Sequence, residues 1–175
     1  MSMPQVWVGC VGCYAAGGLV GRWIDADLAD TVTVADLHRA LAAPAPHGTF
    51  HEELWCYDSE LPGGERSPES ATEYGLRLAE IDEALRPAFL AWVSTGAHVV
   101  DADDLPVVSD FQERYCGGWE SFQAFADQQV EDLGVLEGVD ENLARYFDYA
   151  SYARDLAFDY TVVDAESGVY IFRDL

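Results

Sequence analysis

The sequence predicts an α+β protein built from small lobes that share a core, and three observations lead to that prediction. The chain has 175 residues, of which 50% are apolar, so it is long and apolar enough to fold. Segments rich in Val, Ile, Trp and Tyr lie near both ends, whereas the middle shows helical periodicity. Turn residues crowd into 61–68 and mark the clearest boundary. We therefore expect lobes at residues 1–64, 65–104 and 105–175.

The amino-terminal lobe is predicted as a ββαβ unit. Residues 5–14 and 19–24 have the composition of strands, and the Ala-Ala-Gly-Gly segment between them suits a turn, so the two strands should pair antiparallel. Thr33 fits the N-cap of a helix that runs through Ala42. Alternating apolar residues predict a third strand at 51–57.

The central lobe is predicted as a pair of helices. Over residues 69–85, apolar side chains recur with helical spacing and carboxylates occupy the opposite arc. The apolar positions are Tyr74, Leu78, Ile81 and Leu85, and the carboxylates are Glu69, Glu73, Glu80 and Glu83. A second helix, from Pro87 to a stop at Gly96, contains no acid and is expected to be buried under the first.

The carboxy-terminal lobe is predicted to mix short helices with strands. The sequence predicts an acidic connection at 99–108, a strand at 111–115 and a turn at 116–118. A helix over 119–133 follows, and then two helices at 141–147 and 149–156, which Asp140 and Asp148 cap. Strands at 158–163 and 169–173 form a hairpin. The inner face of the first helix is predicted to be Phe122, Ala126, Val130 and Leu133, and that of the last helix Tyr149, Tyr152, Ala153 and Leu156.

Charge is the most unusual property of the chain. Its nine basic residues are all arginine, against 32 carboxylates, which leaves a net charge of −23. The absence of lysine excludes mechanisms that need an amine, such as a P-loop phosphate site or a Schiff base. It also argues against direct binding of nucleic acid, which depends on clustered Lys and Arg that neutralise phosphates. The acids accumulate from 4 in residues 1–50 to 18 in residues 101–175, so we expect positively charged partners.

The cysteines raise the question of a metal. Cys10 and Cys13 form a C-x-x-C motif, which with His47 and His51 formally offers four zinc ligands. Two arguments set this site aside. The 33 residues between Cys13 and His47 exceed the spacing of a zinc finger, and on a strand the two thiols point to opposite faces. We therefore expect packed or idle thiols, no metal and no cofactor.

Other functions lack support in the sequence. The acidic run at Asp101 begins like a calcium loop, but Pro106 and Gln112 stand where such a loop needs Gly and a bidentate Glu. Neither a G-x-S-x-G nor an H-E-x-x-H motif is present, so we expect no catalytic residues and no enzymatic activity. Residues 1–21 carry no charge, but glycines interrupt them and no basic flank precedes them, so we expect a reduced, cytoplasmic protein without a membrane span.

Two segments carry the most specific pattern in the chain. Near the start, Val-Trp-Val-Gly at 6–9 is followed by Tyr14 and by Gly-Leu-Val-Gly-Arg-Trp-Ile-Asp at 18–25. Near the end, Gly-Val-Leu at 134–136 precedes Tyr-Phe-Asp-Tyr-Ala-Ser-Tyr-Ala-Arg-Asp-Leu at 146–156. With these segments the chain resembles the ArdA family of antirestriction proteins over nearly its whole length, although the middle matches only in acidity and helical pattern.

This resemblance implies a shape, a partner and a mechanism. It implies an elongated, curved chain of three small lobes that forms a homodimer, with carboxylates that imitate the phosphates of bent duplex DNA. The implied partner is a type I restriction-modification enzyme, whose DNA groove is occupied so that cleavage or modification of incoming DNA is blocked. The resemblance implies no catalytic residues, and it implies genes carried on mobile elements such as conjugative elements and phages.

The candidate binding residues are the acids with a predicted outward face. They are Glu69, Glu73, Glu80, Glu83, Asp101, Asp103, Asp104, Glu120, Asp127, Glu131, Asp132, Glu137, Asp140 and Glu141. A second group fits either a dimer contact or lobe core, with core slightly favoured, and consists of Val135, Leu136, Tyr146 and Phe147.

Two other function classes stay open on the sequence. A halophile-type soluble enzyme or regulator would use the same excess of acids for hydration alone. A decoy for another basic DNA-binding protein would share the charge argument and differ only in its partner. An elongated shape favours a DNA mimic over the first class, and competition with duplex DNA for a type I methyltransferase distinguishes it from both.

Overall fold

Helices and small antiparallel sheets alternate along the chain, which confirms the predicted α+β class. The computed structural model describes residues 2–42 and 51–174. The strands are β1 (Gln5–Cys10), β2 (Gly21–Asp25), β3 (Leu54–Ser59), β4 (Tyr115–Trp119), β5 (Tyr160–Asp164) and β6 (Val169–Arg173). The helices are α1 (Val11–Ala15), α2 (Val34–Ala40), α3 (Pro68–Ala79), α4 (Arg86–Ser94), α5 (Val108–Arg114), α6 (Phe122–Asp132), α7 (Glu141–Ala144) and α8 (Tyr149–Leu156). Short 3₁₀ turns lie at Ala26–Thr31, Glu83–Leu85 and Ala157–Asp159.

The amino-terminal sheet has the strand order β2-β1-β3, with antiparallel pairing throughout, which confirms the predicted hairpin. The first strand ends at Cys10, however, and the prediction that it continues to Tyr14 is wrong. The Cys10 N–H donates to the carbonyl of Val20 at 2.9 Å, and the chain then coils into α1, where the Cys13 carbonyl accepts from Gly18 N–H at 2.9 Å. These bonds turn the thiol of Cys13 inward as part of a helical turn.

The next two elements follow the prediction with shifted ends. Thr33 caps α2 as predicted, because its hydroxyl accepts from the Asp36 N–H at 3.1 Å. The helix ends at Ala40 rather than Ala42, and the third strand begins at Leu54 rather than at residue 51.

The predicted long helix of the central lobe is split. Its first part, α3, ends at Ala79, and the carboxylate of Asp82 then accepts from the Ala84 N–H at 2.9 Å to start a separate 3₁₀ turn. Glu83 and Leu85 therefore leave the helix on which the sequence predicted them. The second helix, α4, agrees with the prediction, and its Phe89 and Trp92 are fully buried.

The strand predicted at 111–115 is wrong, because these residues mostly belong to helix α5. Asp110 and Arg114, one turn apart, form an ion pair at 2.8 Å that only a helix brings together, and Phe111 on the same turn is buried. The turn predicted at 116–118 is a strand, β4. Gly117 adopts a φ of +106° there and allows a bulge within the strand instead of a reversal of the chain.

The last part of the chain forms a second sheet, of order β4-β6-β5, which contains the predicted terminal hairpin. Asp140 and Asp148 cap α7 and α8 as predicted. The inner face of α6 is only partly as expected, because α6 ends at Asp132 and Leu133 lies outside with 68% of its surface exposed.

One cluster of buried side chains draws on the beginning, the middle and the end of the chain. It includes Val6 of β1, Leu78 of α3, Phe89 of α4, Phe111 of α5 and Phe172 of β6. The Phe111 ring lies 5.2 Å from that of Phe89 and 6.2 Å from that of Phe172, measured between centroids. Within residues 2–42 and 51–174, no helix combines the length and the apolar character needed to span a bilayer.

Candidate functional site

The carboxylates form the most extensive chemical feature of the surface. None of the 32 is buried, and Thr72 is the one polar side chain in the buried part of residues 2–42 and 51–174. This distribution follows from the high free energy of removing an unpaired charge from water. Most of the charge is therefore available to a partner, and the half-buried acids are the exceptions.

Helix α3 carries an ordered row of these carboxylates. Glu69, Glu73 and the residue after its last turn, Glu80, are exposed along one side, with Leu76 between them at 55% exposure. Four helical residues rise about 6 Å, whereas duplex DNA has one phosphate per about 3.4 Å of axis on each strand. Glu69 and Glu73, four residues apart, thus match roughly every second phosphate of one strand, whereas Glu80 lies seven residues further on, about 10 Å along the axis, with Arg77 in between.

The orientation of α3 is fixed by a close contact on its opposite side. Gly75 lies against the 3₁₀ turn at Ala26–Thr31, where an added Cβ would come within 2.7 Å of the Asp27 Cα. On the same side, the Thr72 hydroxyl accepts from the Asp30 N–H at 3.0 Å. Because these two contacts prevent α3 from rotating about its axis, the carboxylates on its opposite side stay exposed to solvent.

Asp101 begins a tight acidic turn and is more confined than its neighbours. Its carboxylate accepts from Arg77 at 2.8 Å and from the N–H groups of Asp103 and Leu105 at 3.0 and 3.1 Å. The backbone bond from Leu105, followed by the bond from Arg77, lowers the pKa of Asp101 below its ordinary value. Asp103 and Asp104 project from the same turn and are exposed.

A second acidic region spans the end of α6 and the start of α7. Glu131, Asp132, Glu137, Asp140 and Glu141 are all exposed within residues 131–141. Asp140 also caps α7, because its side chain accepts from the Asn142 N–H at 2.9 Å. Of the acids predicted as binding residues, Asp101 and Asp127 are half-buried, and the others are exposed.

The same region exposes large apolar side chains, several of which the sequence analysis did not single out. Tyr146 is 85% exposed and Val135 is exposed as well, so the core interpretation is wrong for both. Leu136 and Phe147 are half-buried, and the Phe147 ring lies 4.8 Å from that of Tyr149. The further exposed side chains are Leu133, Leu143 and Phe158. Two acids directly before an apolar residue and a glycine directly after it, as at Leu133, are the signal in the sequence for such exposure.

A separate cluster of Cys and His lies at the edge of the amino-terminal sheet. Cys10 and Cys13 are buried and meet His38 of α2 and His51, and His47 lies outside the described residues. Burial raises the pKa of Cys10, but hydrogen bonds from His38, the Cys13 backbone and His51 outweigh it and lower that pKa to about 6. Burial, and then the neighbouring Cys10, raise the pKa of Cys13. The two histidines also line an open cleft of about 840 Å³ between α2, β3 and α3.

These features define an acidic binding protein of the α+β class, with its carboxylates on ordered elements at the surface. A sequence model of the antirestriction protein (ArdA) family matches residues 6–171 of the chain. The chain therefore belongs to the ArdA family of antirestriction proteins, a family of inhibitors that act against restriction enzymes. No curated protein matches the chain in sequence.

Proposed function

We propose that the protein inhibits type I restriction-modification enzymes by mimicking DNA. Its carboxylates take the positions in which the Arg and Lys side chains of the enzyme bind phosphates, and the occupied groove then neither cleaves nor modifies incoming DNA. The observation that carries this proposal is the position of all 32 carboxylates at the surface of a chain with nine arginines.

The amount of charge is suited to mimicry of a duplex. At the charge density of DNA, one charge per about 1.7 Å of axis, 32 carboxylates correspond to about 54 Å, or about 16 base pairs. The two exposed groups of acids, on α3 and in residues 131–141, supply ordered portions of such a surface. The half-buried Asp101 is charge-paired with Arg77 and contributes less in this proposal.

The accessible surface area supports an extended molecule. The chain exposes 10209 Å², whereas a compact monomer of its mass of 19.3 kDa exposes about 8,500 Å². A surface about a fifth larger than that of a sphere-like protein suits a molecule that spreads its charge along a line.

We also propose that the protein forms a homodimer through the apolar side chains of its carboxy-terminal region. Leu133, Leu143, Tyr146 and Phe158 are each at least 66% exposed. Exposed apolar patches mark interaction sites in soluble proteins, and these four side chains lie within residues 133–158. A dimer would double the length of the acidic surface without a longer chain.

The decisive experiment is competition between the protein and duplex DNA for a purified type I methyltransferase core. A variant with Glu131→Gln, Asp132→Asn, Glu137→Gln and Glu141→Gln removes four exposed charges and leaves the cap residue Asp140 in place. The matched control carries Glu52→Gln, Glu53→Gln, Asp58→Asn and Glu65→Gln, which remove the same charge from exposed positions outside the proposed binding set.

The proposal predicts that the first variant competes about fourfold or more less well than the wild type, because each of its four lost ion pairs contributes about 0.2–1 kcal/mol. The control is expected to change competition less than the first variant does. An equal loss of competition in both variants would indicate that the protein is attracted to the enzyme by its net charge alone. Failure of the wild type to compete with DNA at any concentration would overturn DNA mimicry and leave a decoy for a different basic protein.

A further inference from the structure

Four potential metal ligands meet at one edge of the amino-terminal sheet, although they come from three separate parts of the chain. Cys10 is the last residue of β1 and Cys13 lies in α1, so one turn of backbone carries both thiols. His38 lies in α2, and His51 precedes β3 by two residues. Folding thus gathers a set of ligands that their order in the sequence does not reveal.

Three of the six distances between the ligand atoms are close to those of a tetrahedral site, and the set as a whole is slightly wider. The Cys10 Sγ lies 3.2 Å from His51 Nδ1, and the Cys13 Sγ lies 3.5 Å from His51 Nδ1 and 3.5 Å from His38 Nε2. All four ligand atoms lie within 4.8 Å of one another. With Zn–S bonds of about 2.3 Å and Zn–N bonds of about 2.0 Å, the ligand atoms around a tetrahedral zinc are separated by about 3.3–3.8 Å.

We propose that Cys10, Cys13, His38 and His51 form a structural zinc site. Both arguments that set a metal aside on the sequence lose their basis in the structure. The fourth ligand is His38 rather than His47, so the long gap between Cys13 and His47 is irrelevant. The two thiols converge because the chain leaves the strand at Cys10 and coils into α1.

The environment favours a structural site over a catalytic or redox site. Four protein ligands complete a tetrahedron and leave no open position for water or substrate. Both thiols have only 1% of their surface exposed, which leaves a substrate no access to the sulfur atoms. The two histidines line the open cleft, which provides a route for the metal.

The proposed site would stabilise the connection between helix α2 and strand β3. His38 and His51 flank residues 39–50, so a shared metal holds both ends of the chain between α2 and β3 against the β1–α1 turn. The buried side chains Val32 and Leu37 pack with the two cysteines in a small satellite cluster of the core. Zinc would therefore strengthen a lobe whose own apolar cluster is small.

Metal content of the full chain tests the proposal directly. Protein without a polyhistidine tag is reduced, incubated with zinc chloride, separated from unbound metal by gel filtration and analysed by mass spectrometry for zinc. We expect about one zinc per chain to be retained in competition with a weak chelator. Retention below about 0.1 zinc per chain, or a Cys10–Cys13 disulfide as the stable form after purification, would overturn the proposal.

Cobalt substitution distinguishes this site from the 32 surface carboxylates, which also attract cations. Co²⁺ bound by two thiolates and two imidazoles gives a thiolate-to-cobalt charge-transfer band and the intense visible bands of tetrahedral coordination. Cobalt held by carboxylates and water gives neither. Stoichiometric binding without the thiolate band would therefore also contradict the proposal.

Ligand variants have matched controls elsewhere in the chain. Cys13→Ser and His38→Ala are expected to lower zinc affinity about a hundredfold or more. Cys116→Ser and His98→Asn, which replace a half-buried Cys and His outside the cluster, are expected to retain about one zinc per chain. If the ligand variants do not fold, the wild type still provides a test, because a strong chelator should lower its melting temperature and added zinc should restore it. A melting temperature that changes neither with the chelator nor with added zinc would contradict the proposed site.

Discussion

The amino-terminal sheet and the carboxy-terminal helical region of residues 131–156 use their apolar residues in opposite ways. In β1, the side chains of Val6, Val8 and Cys10 are almost completely buried. Among residues 131–156, Ala153 is the one buried residue, although the segment contains many Leu, Val, Tyr and Phe. The first region buries its apolar side chains in the protein interior, and the second region leaves its apolar side chains exposed to solvent.

The difference extends to charge. Residues 1–50 contain 4 acids, whereas residues 101–175 contain 18. In an ordinary domain such a concentration of like charge and exposed apolar surface would lower stability and solubility. Stability and binding therefore depend on different residues, because the buried cluster draws on β1, α3, α4, α5 and β6, whereas the proposed binding surface consists of exposed side chains. Substitutions in the two regions should therefore affect different measurements.

The largest effect on stability is expected from removal of a core aromatic ring. Phe89→Ala should lower the free energy of unfolding by about 3–5 kcal/mol, because the ring is fully buried and packs on Trp92 and Phe111. The matched control is Phe158→Ala, whose ring is 83% exposed and whose loss should cost less than about 0.5 kcal/mol. Urea unfolding measures both at a protein concentration at which the chain is monomeric, because Phe158 belongs to the proposed dimer contact. Similar losses in the two variants would contradict the proposed separation.

A smaller effect on the free energy of unfolding is expected at Gly75, the contact that orients α3, and the sign of this effect shows whether the contact is tight. In an exposed helix, Gly→Ala stabilises by about 1 kcal/mol, but Gly75→Ala should destabilise by about 1–3 kcal/mol because the new Cβ meets the backbone of Asp27. Gly18→Ala is the control, since a Cβ there has an ordinary contact of 3.5 Å. Thermal unfolding of both variants gives the sign, and a more stable Gly75→Ala protein would show that α3 is not held by this contact.

The acidic turn at Asp101 should show a pH-dependent contribution to stability. Hydrogen bonds from Leu105 and Arg77 lower the pKa of Asp101 in the folded state, so its ionised form contributes stability at every pH above its unfolded pKa of about 3.9. That contribution is lost as pH falls through the lowered folded pKa. Asp101→Asn should therefore be less stable than the wild type at pH 7, and the difference should shrink below about pH 4.

Urea midpoints at pH 7, pH 4 and pH 3 measure this difference. Asp103→Asn is the control, because Asp103 is exposed on the same turn and lies outside the ion pair with Arg77. A stability difference for Asp101→Asn that stays constant down to pH 3 would exclude ionisation of this carboxyl as its cause.

The smallest effect on the stability of the monomer, and a clear effect on assembly, is expected at Tyr146. Tyr146→Ala should change the free energy of unfolding of the monomer by less than about 0.5 kcal/mol, because the side chain is 85% exposed. It should weaken the proposed dimer about tenfold or more, as aromatic anchors do in interfaces. Sedimentation equilibrium measures the change, with Leu19→Ala, 77% exposed in the amino-terminal region, as the control. If Leu19→Ala weakened the dimer more than Tyr146→Ala does, the dimer contact would have to lie in the amino-terminal region instead.

Local patterns predicted much of the fold, because caps and periodicity act within a few residues. Thr33, Asp140 and Asp148 cap helices as their side-chain chemistry indicates. The failures occurred where distant contacts override local preference. Phe111 is buried against Phe89 and Phe172, both distant in sequence, and the Cys-Gly-Gly segment is a strand because β6 pairs with it. The ion pair between Asp110 and Arg114, four residues apart, is by contrast a local signal for the helix.

The candidate sites show the same limit. Exposure of Glu69 and Glu73 followed from helical spacing, since the opposite face of α3 had to be apolar. The role of Asp101 in a charge pair with Arg77, 24 residues away, had no local signal. His38 was missed as a partner of the two cysteines for the same reason, because only the packing of α2 beside β1 brings it to Cys13.

The joining of Val6 and Phe172 in one buried cluster has a consequence for biosynthesis. During synthesis β1 is made long before β6, so the interior lacks the Phe172 ring until β6 has emerged. The nascent protein must therefore keep its early strands from aggregating until β6 has been made. The mutual repulsion of its growing excess of acids is well suited to keeping such unfinished chains apart.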